Sequence, residues 1–140
     1  MMGTIRAEIE LVNPADLVLL DAGVLKEDAV RRMNITALVD TGAYMLCTNE
    51  EIQSQLGLRH MSYENLELAD GSIIKAEVVG PVVINFKNRN TACRAIVLPG
   101  KSEPLLGVIP MEDMDVVLVP LKQTIDINPE HPFMAQKILK

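Results

Sequence analysis

Between Leu66 and Val78 an Asp-Gly pair separates two stretches that alternate polar and apolar residues: Leu66-Glu67-Leu68-Ala69-Asp70-Gly71-Ser72-Ile73-Ile74-Lys75-Ala76-Glu77-Val78. A period of two belongs to a strand with one wet face, and Asp-Gly at the junction favours a two-residue turn matching strand twist. The chain is committed here to antiparallel β-structure, and the signature recurs. Thr4 to Val12 sets Ile5, Ala7, Ile9 and Leu11 against Arg6, Glu8 and Glu10, and Asn13-Pro14-Ala15-Asp16 ends it as a turn. Leu17 to Leu20 reads as a short apolar strand closed by Asp21-Ala22-Gly23, and Asn34 to Val39 as another. Gly80-Pro81 interrupts the hairpin; Val82 to Phe86 and Thr91 to Leu98 follow as strands joined by Lys87-Asn88-Arg89-Asn90. Asp115 to Pro120 is the last strand expected, and Leu121 to Lys140 reads as a tail that need not pack tightly.

Helix signals are few. Thr48 and Glu51 have the spacing of a capping box, Ile52 and Leu56 share a face, and Gly57 sits where a left-handed C-terminal cap belongs. Lys26 to Arg32 is a surface loop with one helical turn at most, Leu58 to Asn65 is irregular, and Pro110 to Met114 is a further single turn. Strands dominate, so the expected fold class is all-β: a small closed barrel with one or two short helices. At 140 residues the chain is of single-domain length, with 121–140 as an extension beyond the domain body. Aromatic residues make up only 3%, so the core has to be built from Val, Ile, Leu and Met.

Charge and composition exclude several functions. Thirteen basic and nineteen acidic side chains give a net charge of −6, with no basic stripe to neutralise phosphates, so nucleic acid is not an expected partner. No apolar run approaches the ~20 residues of a membrane helix, and the first residues lack an apolar signal-peptide core. The expectation is a soluble, cytoplasmic protein without a membrane partner, in which Cys47 and Cys93 stay reduced as small buried groups. No cluster has metal-ligand spacing, and no cofactor fingerprint appears, so neither metal nor cofactor is expected. His60 reads as a solvated loop histidine, and Glu112, Asp113 and Asp115 as a solvated acidic surface.

Ala37-Leu38-Val39-Asp40-Thr41-Gly42-Ala43 carries what chemistry the chain suggests. A buried strand runs into an acid, a hydroxyl and two small residues, and a carboxylate in such a place is costly unless its charge is used. Read locally, Asp40 is equally a turn residue capping its neighbours' amides. His60 and His131 bear no relation to a nucleophile elbow, and a second Asp two positions after Asp40 is replaced by Gly42, so neither a triad nor a phosphatase pattern fits. A carboxylate can drive hydrolysis beside a second one, the two holding a single proton between them. With one such loop per chain, the second acid has to come from another copy, across a two-fold axis.

Three pieces in order resemble the retropepsin-like, single-domain aspartic proteases of bacterial type. They are Leu38-Val39-Asp40-Thr41-Gly42-Ala43, the hairpin tip Ala69-Asp70-Gly71-Ser72, and Leu105-Leu106-Gly107. The resemblance spans Ile35 to Val119. It implies that Asp40, Thr41 and Gly42 form the catalytic loop, that Thr41 bonds across the dimer axis, and that the Gly42 amide faces the carboxylates. It further implies that Ala43, Tyr44 and the tip residues line the bound peptide, and that Leu105, Leu106 and Gly107 pack behind the loop. Retroviral members often place an Asp at the position of Tyr44 and an Arg at that of Val108; both charges are missing here together. The expected function is a homodimeric aspartic endopeptidase that takes extended peptides with apolar side chains. A catalytically silent binding or assembly module on the same fold is the alternative, and a barrel with a structural Asp turn and no dimer is a third.

Overall fold

A computed structural model describes residues 4–139 of the chain. Strands β1 (Arg6–Val12), β2 (Arg32–Val39), β3 (Leu46–Asn49), β4 (His60–Glu67), β5 (Ile73–Phe86), β6 (Arg89–Leu98) and β7 (Leu105–Leu106) form one mixed seven-stranded sheet. Their order is β1-β2-β7-β3-β6-β5-β4, and β1 also pairs with the far end of β5, Glu10–Val12 against Val83–Asn85. Strands β8 (Val116–Val119) and β9 (Thr124–Ile127) pair separately. Among the described residues there are also three short α-helices, α1 (Pro14–Asp21), α2 (Glu50–Leu56) and α3 (Val108–Met114), and two 3-10 turns, Glu27–Ala29 and Pro120–Lys122. None is long and apolar enough, among the described residues, to cross a membrane.

Alternation in β1 buries Ile5, Ala7, Ile9 and Leu11 as expected, and these join Leu46, Leu56, Val79, Val82, Ile84, Leu106 and Met114 in one aliphatic core. Met111 and Met114 help fill that core, as the scarcity of aromatic residues requires.

Leu17 to Leu20 is helical instead of extended. The Asn13 carboxamide oxygen accepts from Ala15 N at 2.9 Å and Pro14 occupies the first helical turn, so cap and preset φ outweigh the apolar run. Asp16, also in that turn, is buried against Arg31 (2.8 Å), whose hydrogen bonds hold its carboxyl below the usual range. The cap of α2 is Asn49, which accepts from Ile52 N, whereas Thr48 is buried in β3; the capping box expected one residue earlier does not form.

Leu58 to Asn65 is not irregular either. Most of it belongs to β4, whose polar side chains obscure the pattern but whose backbone pairs with β5 from His60 to Glu67. His60 is paired there, with Nδ1 2.6 Å from Glu77. Gly80-Pro81 shifts the register of β5 against β6 without ending the strand. At the tip, Leu68 N bonds Ser72 O (2.8 Å) and Gly71 N bonds Leu68 O (2.9 Å), which makes a three-residue loop in place of the two-residue turn. Gly71 has φ +86°, the left-handed residue such a loop demands.

The tail packs more than its composition suggests. Ile125 of β9 is buried, and Gln123 O accepts from Arg6 N at 3.2 Å. Asp115, far from being a solvated acid, collects Gln136 N (2.9 Å), Asn128 Nδ2 (3.1 Å) and His131 Nδ1 (2.6 Å). The Gln136 amide first, then Asn128 and His131, pull its carboxyl down to about 2. A depressed folded value stabilises the fold above the ordinary carboxylate range and loses that contribution as pH falls through about 2. Amide exchange at His131 and Gln136, taken relative to the intrinsic rate at each pH, should therefore stay slow in mild acid and quicken progressively as pH falls below the ordinary carboxylate value toward about 2. In Asp115→Asn it should be fast at neutral pH as well, as exchange mass spectrometry would report.

Candidate active site

Asp40 leaves the end of β2, where Leu38 and Val39 pair in parallel with Leu105 and Leu106. Its amide donates to Leu106 O at 3.0 Å, and Ala43 N returns to Asp40 O at 3.1 Å, closing a tight turn. The carboxylate Oδ1 accepts from Gly42 N at 2.9 Å, the Asx geometry that a turn Asp adopts. Thr41 and Gly42 are exposed at the crest, and Asp40 itself is half-buried. Among the described residues this one hydrogen bond is all the carboxylate makes.

The next turn of chain serves α3. The first amides of a helix lack partners within it, and here Val108 N donates to Ala43 O and Ile109 N to Tyr44 O, each at 2.9 Å. The loop caps the helix while the helix fixes the loop. Gly107, between them, lies so close to Met45 and Tyr44 that a Cβ would fall 2.7 Å from Met45 N and Tyr44 C, and nearer still to Met45 O. Leu105, Leu106 and Gly107 thus stand directly against Asp40 to Met45.

Hairpin β4–β5 reaches the same neighbourhood through apolar side chains. Met45, Cys47, Ala76 and Ile96 form a second buried cluster, flanked by Leu66, Leu98 and Leu105. Leu66, whose cross-strand partner Ile74 stands one pair from the tip, packs there, so the outer half of the hairpin rests on the residues that follow the loop. The tip residues Ala69, Asp70, Gly71 and Ser72 are exposed, and their hydrogen bonds among the described residues are internal to the tip. Ser72 donates N and Oγ to Asp70 Oδ1 (2.9 and 2.6 Å), which holds that carboxyl below its ordinary value.

Burial, and after it the Asp40 charge, push the Cys47 thiol up to about 11. Burial and Asp113 do the same to Cys93. Both thiols are free, and neither is a thiolate nucleophile at neutral pH. Among the described residues no group of three or more His, Cys, Asp or Glu side chains is arranged to hold a metal.

The loop and Leu105-Leu106-Gly107 are brought into contact, and the hairpin joins them through Leu66 and Ala76; the tip residues Ala69 to Ser72 are exposed. The cluster of Met45, Cys47, Ala76 and Ile96 was not singled out from sequence as part of a site. Its signal, small or apolar residues on one face of the hairpin and just after the loop, is that of ordinary core. A cleft of about 990 Å³ lies elsewhere, along Arg6, Glu8, Asn34, Thr36, Asn85 and Thr124, and contains none of these site residues. No protein-family model and no curated protein matches the chain.

Gly107→Ala should lower unfolding stability by about 1–3 kcal/mol, because the atoms in the way are backbone and cannot rotate aside. Urea denaturation measures it, and a loss below about 0.5 kcal/mol would refute the close approach.

Proposed function

We propose that this chain is one half of a homodimeric aspartic endopeptidase of the retropepsin-like class, with Asp40 as its catalytic acid. The observation that carries the reading is the placement of Asp40. Its loop crest is exposed, the loop is tied by backbone bonds to Leu106, Val108 and Ile109, and apolar residues of a hairpin pack on Met45 and Cys47 just after it. The pairing of β1 with both β2 and β5 further supports a small closed barrel with β4 attached outside the ring.

In a dimer the two Asp40 carboxylates share one proton, since like charges a few ångströms apart do not both ionise. The ionised one takes a proton from a water held between them. The protonated one donates to the substrate carbonyl, and the water oxygen attacks its carbon. Gly42 N, already on Oδ1, orients the carboxylate. Substrate lies extended beneath the hairpin, whose tip Ala69–Ser72 is free to close over it, with backbone hydrogen bonds supplying much of the affinity.

A catalytically silent binding module is the second reading, favoured by one observation: the 990 Å³ cleft lies away from Asp40. A peptide library incubated from mildly acidic to neutral pH separates the two. The protease reading expects cleavage that Asp40→Asn and Asp40→Ala each reduce by at least about 10³-fold with the dimer intact. It also expects inhibition by a hydroxyl-bearing transition-state mimic. A folded dimer that cuts nothing leaves the binding module standing.

A further inference from the structure

The cleft of about 990 Å³ is floored by one face of the large sheet. Glu8 stands opposite Thr36 there, and Glu10 opposite both Asn34 and Asn85, because β1 pairs with β2 on one side and with β5 on the other. Cross-strand partners share a face, as do residues two apart on a strand. Amides, a hydroxyl and carboxylates therefore project from a single surface. Pockets for small ligands are lined mainly by apolar groups with a few polar ones among them. A floor this polar suits a ligand that is polar along its whole length.

The formal charges lining the cleft cancel, Arg6 and Lys87 against Glu8 and Glu10. Both cations are already held by acids: Arg6 Nη2 lies 3.0 Å from Glu103, and Lys87 Nζ 2.6 Å from Asp126. Glu10 accepts from Asn85 Nδ2 at 2.9 Å and lies 3.9 Å from Arg32. Among the described residues, the side chains of Glu8, Asn34, Thr36 and Thr124 make no hydrogen bond. The cleft thus offers unused donors and acceptors without an excess of either charge. A phosphate would need a surplus of cations, and a polyamine a surplus of acids.

We propose that this cleft binds a neutral oligosaccharide. A sugar hydroxyl both donates and accepts, and the ring holds several of them at fixed spacing. Asn34 has donor and acceptor in one carboxamide, the Thr36 hydroxyl does both, and the Glu8 carboxylate can accept from two hydroxyls at once. Half-buried Ile35 offers apolar surface to the C–H faces of the rings. Residues two apart on a strand are separated by about 7 Å, so the polar groups form a row along β1 and β2. The volume also lies near the upper end of the roughly 300–1,000 Å³ of ligand pockets, which favours a short chain of sugars over one ring. Strand pairing on both sides of β1 sets the row before ligand arrives, which lowers the ordering cost of binding. Asp40 does not line the cleft, so the inference stands whether or not the chain cleaves peptide.

Calorimetry and two-dimensional amide NMR with maltotriose, cellotriose and tri-N-acetylchitotriose test the proposal, with spermidine and trilysine as cationic comparisons. The proteins are wild type, Thr36→Val, Asn34→Leu, Asp40→Asn and the β4 control Asn65→Ala. Positions 34, 36 and 65 are exposed, and circular dichroism melts verify that each variant is folded. At least one trisaccharide should bind wild type with a Kd of about 1 mM or tighter and shift the amides of Glu8, Asn34 and Asn85. Thr36→Val and Asn34→Leu should each weaken it by about threefold to tenfold, the share of one hydrogen bond. Asp40→Asn and Asn65→Ala should bind as wild type does. Any one of three results overturns the proposal: no trisaccharide binds, only the cations bind, or a bound sugar ignores both cleft substitutions. None of the three bears on peptide cleavage, which the Asp40 variants report separately.

Discussion

Three backbone hydrogen bonds hold the candidate site in place: Asp40 N to Leu106 O, Val108 N to Ala43 O and Ile109 N to Tyr44 O. No side chain takes part in any of them. Their geometry depends on how near two stretches of chain can come, which is why Gly107 stands where it does. With the carbonyls of Ala43 and Tyr44 already occupied by the first amides of α3, the loop is anchored without a side-chain ion pair.

The same loop is tied to the hairpin through β5. The later part of that strand, Val82 to Phe86, alternates between core and surface and pairs with β6. Its earlier part pairs with β4 and carries the tip outward. Leu66 and Ala76 are held near Met45 and Cys47, while Ala69 to Ser72 answer only to their own turn.

What the sequence revealed and what it hid divide along a physical line. The alternation of β1, the turn at Asp70-Gly71 and the cap at Gly57 were legible because each is a local pattern enforced by nearby atoms. Helix α1 was hidden because Leu17 to Leu20 has no period, and the cap at Asn13 outweighed β propensity. Strand β4 was hidden because as the outermost strand it buries little, so polar residues fill it without penalty. The placement of Leu105-Leu106-Gly107 against Asp40 was legible only through the order of three motifs; the hydrogen bonds joining them span more than sixty positions. The role of Asp115 was invisible, since Asn128, His131 and Gln136 reach it from a tail without pattern.

The clamp on the tail is built on one carboxylate, and its response to acid follows from the donors around it. Asp115, pulled down to about 2 by three donors, stays charged through mild acid. Its hold on Gln136, Asn128 and His131 therefore persists under conditions that would protonate an ordinary exposed carboxylate. The C-terminal segment is therefore held through mild acid by groups that remain charged.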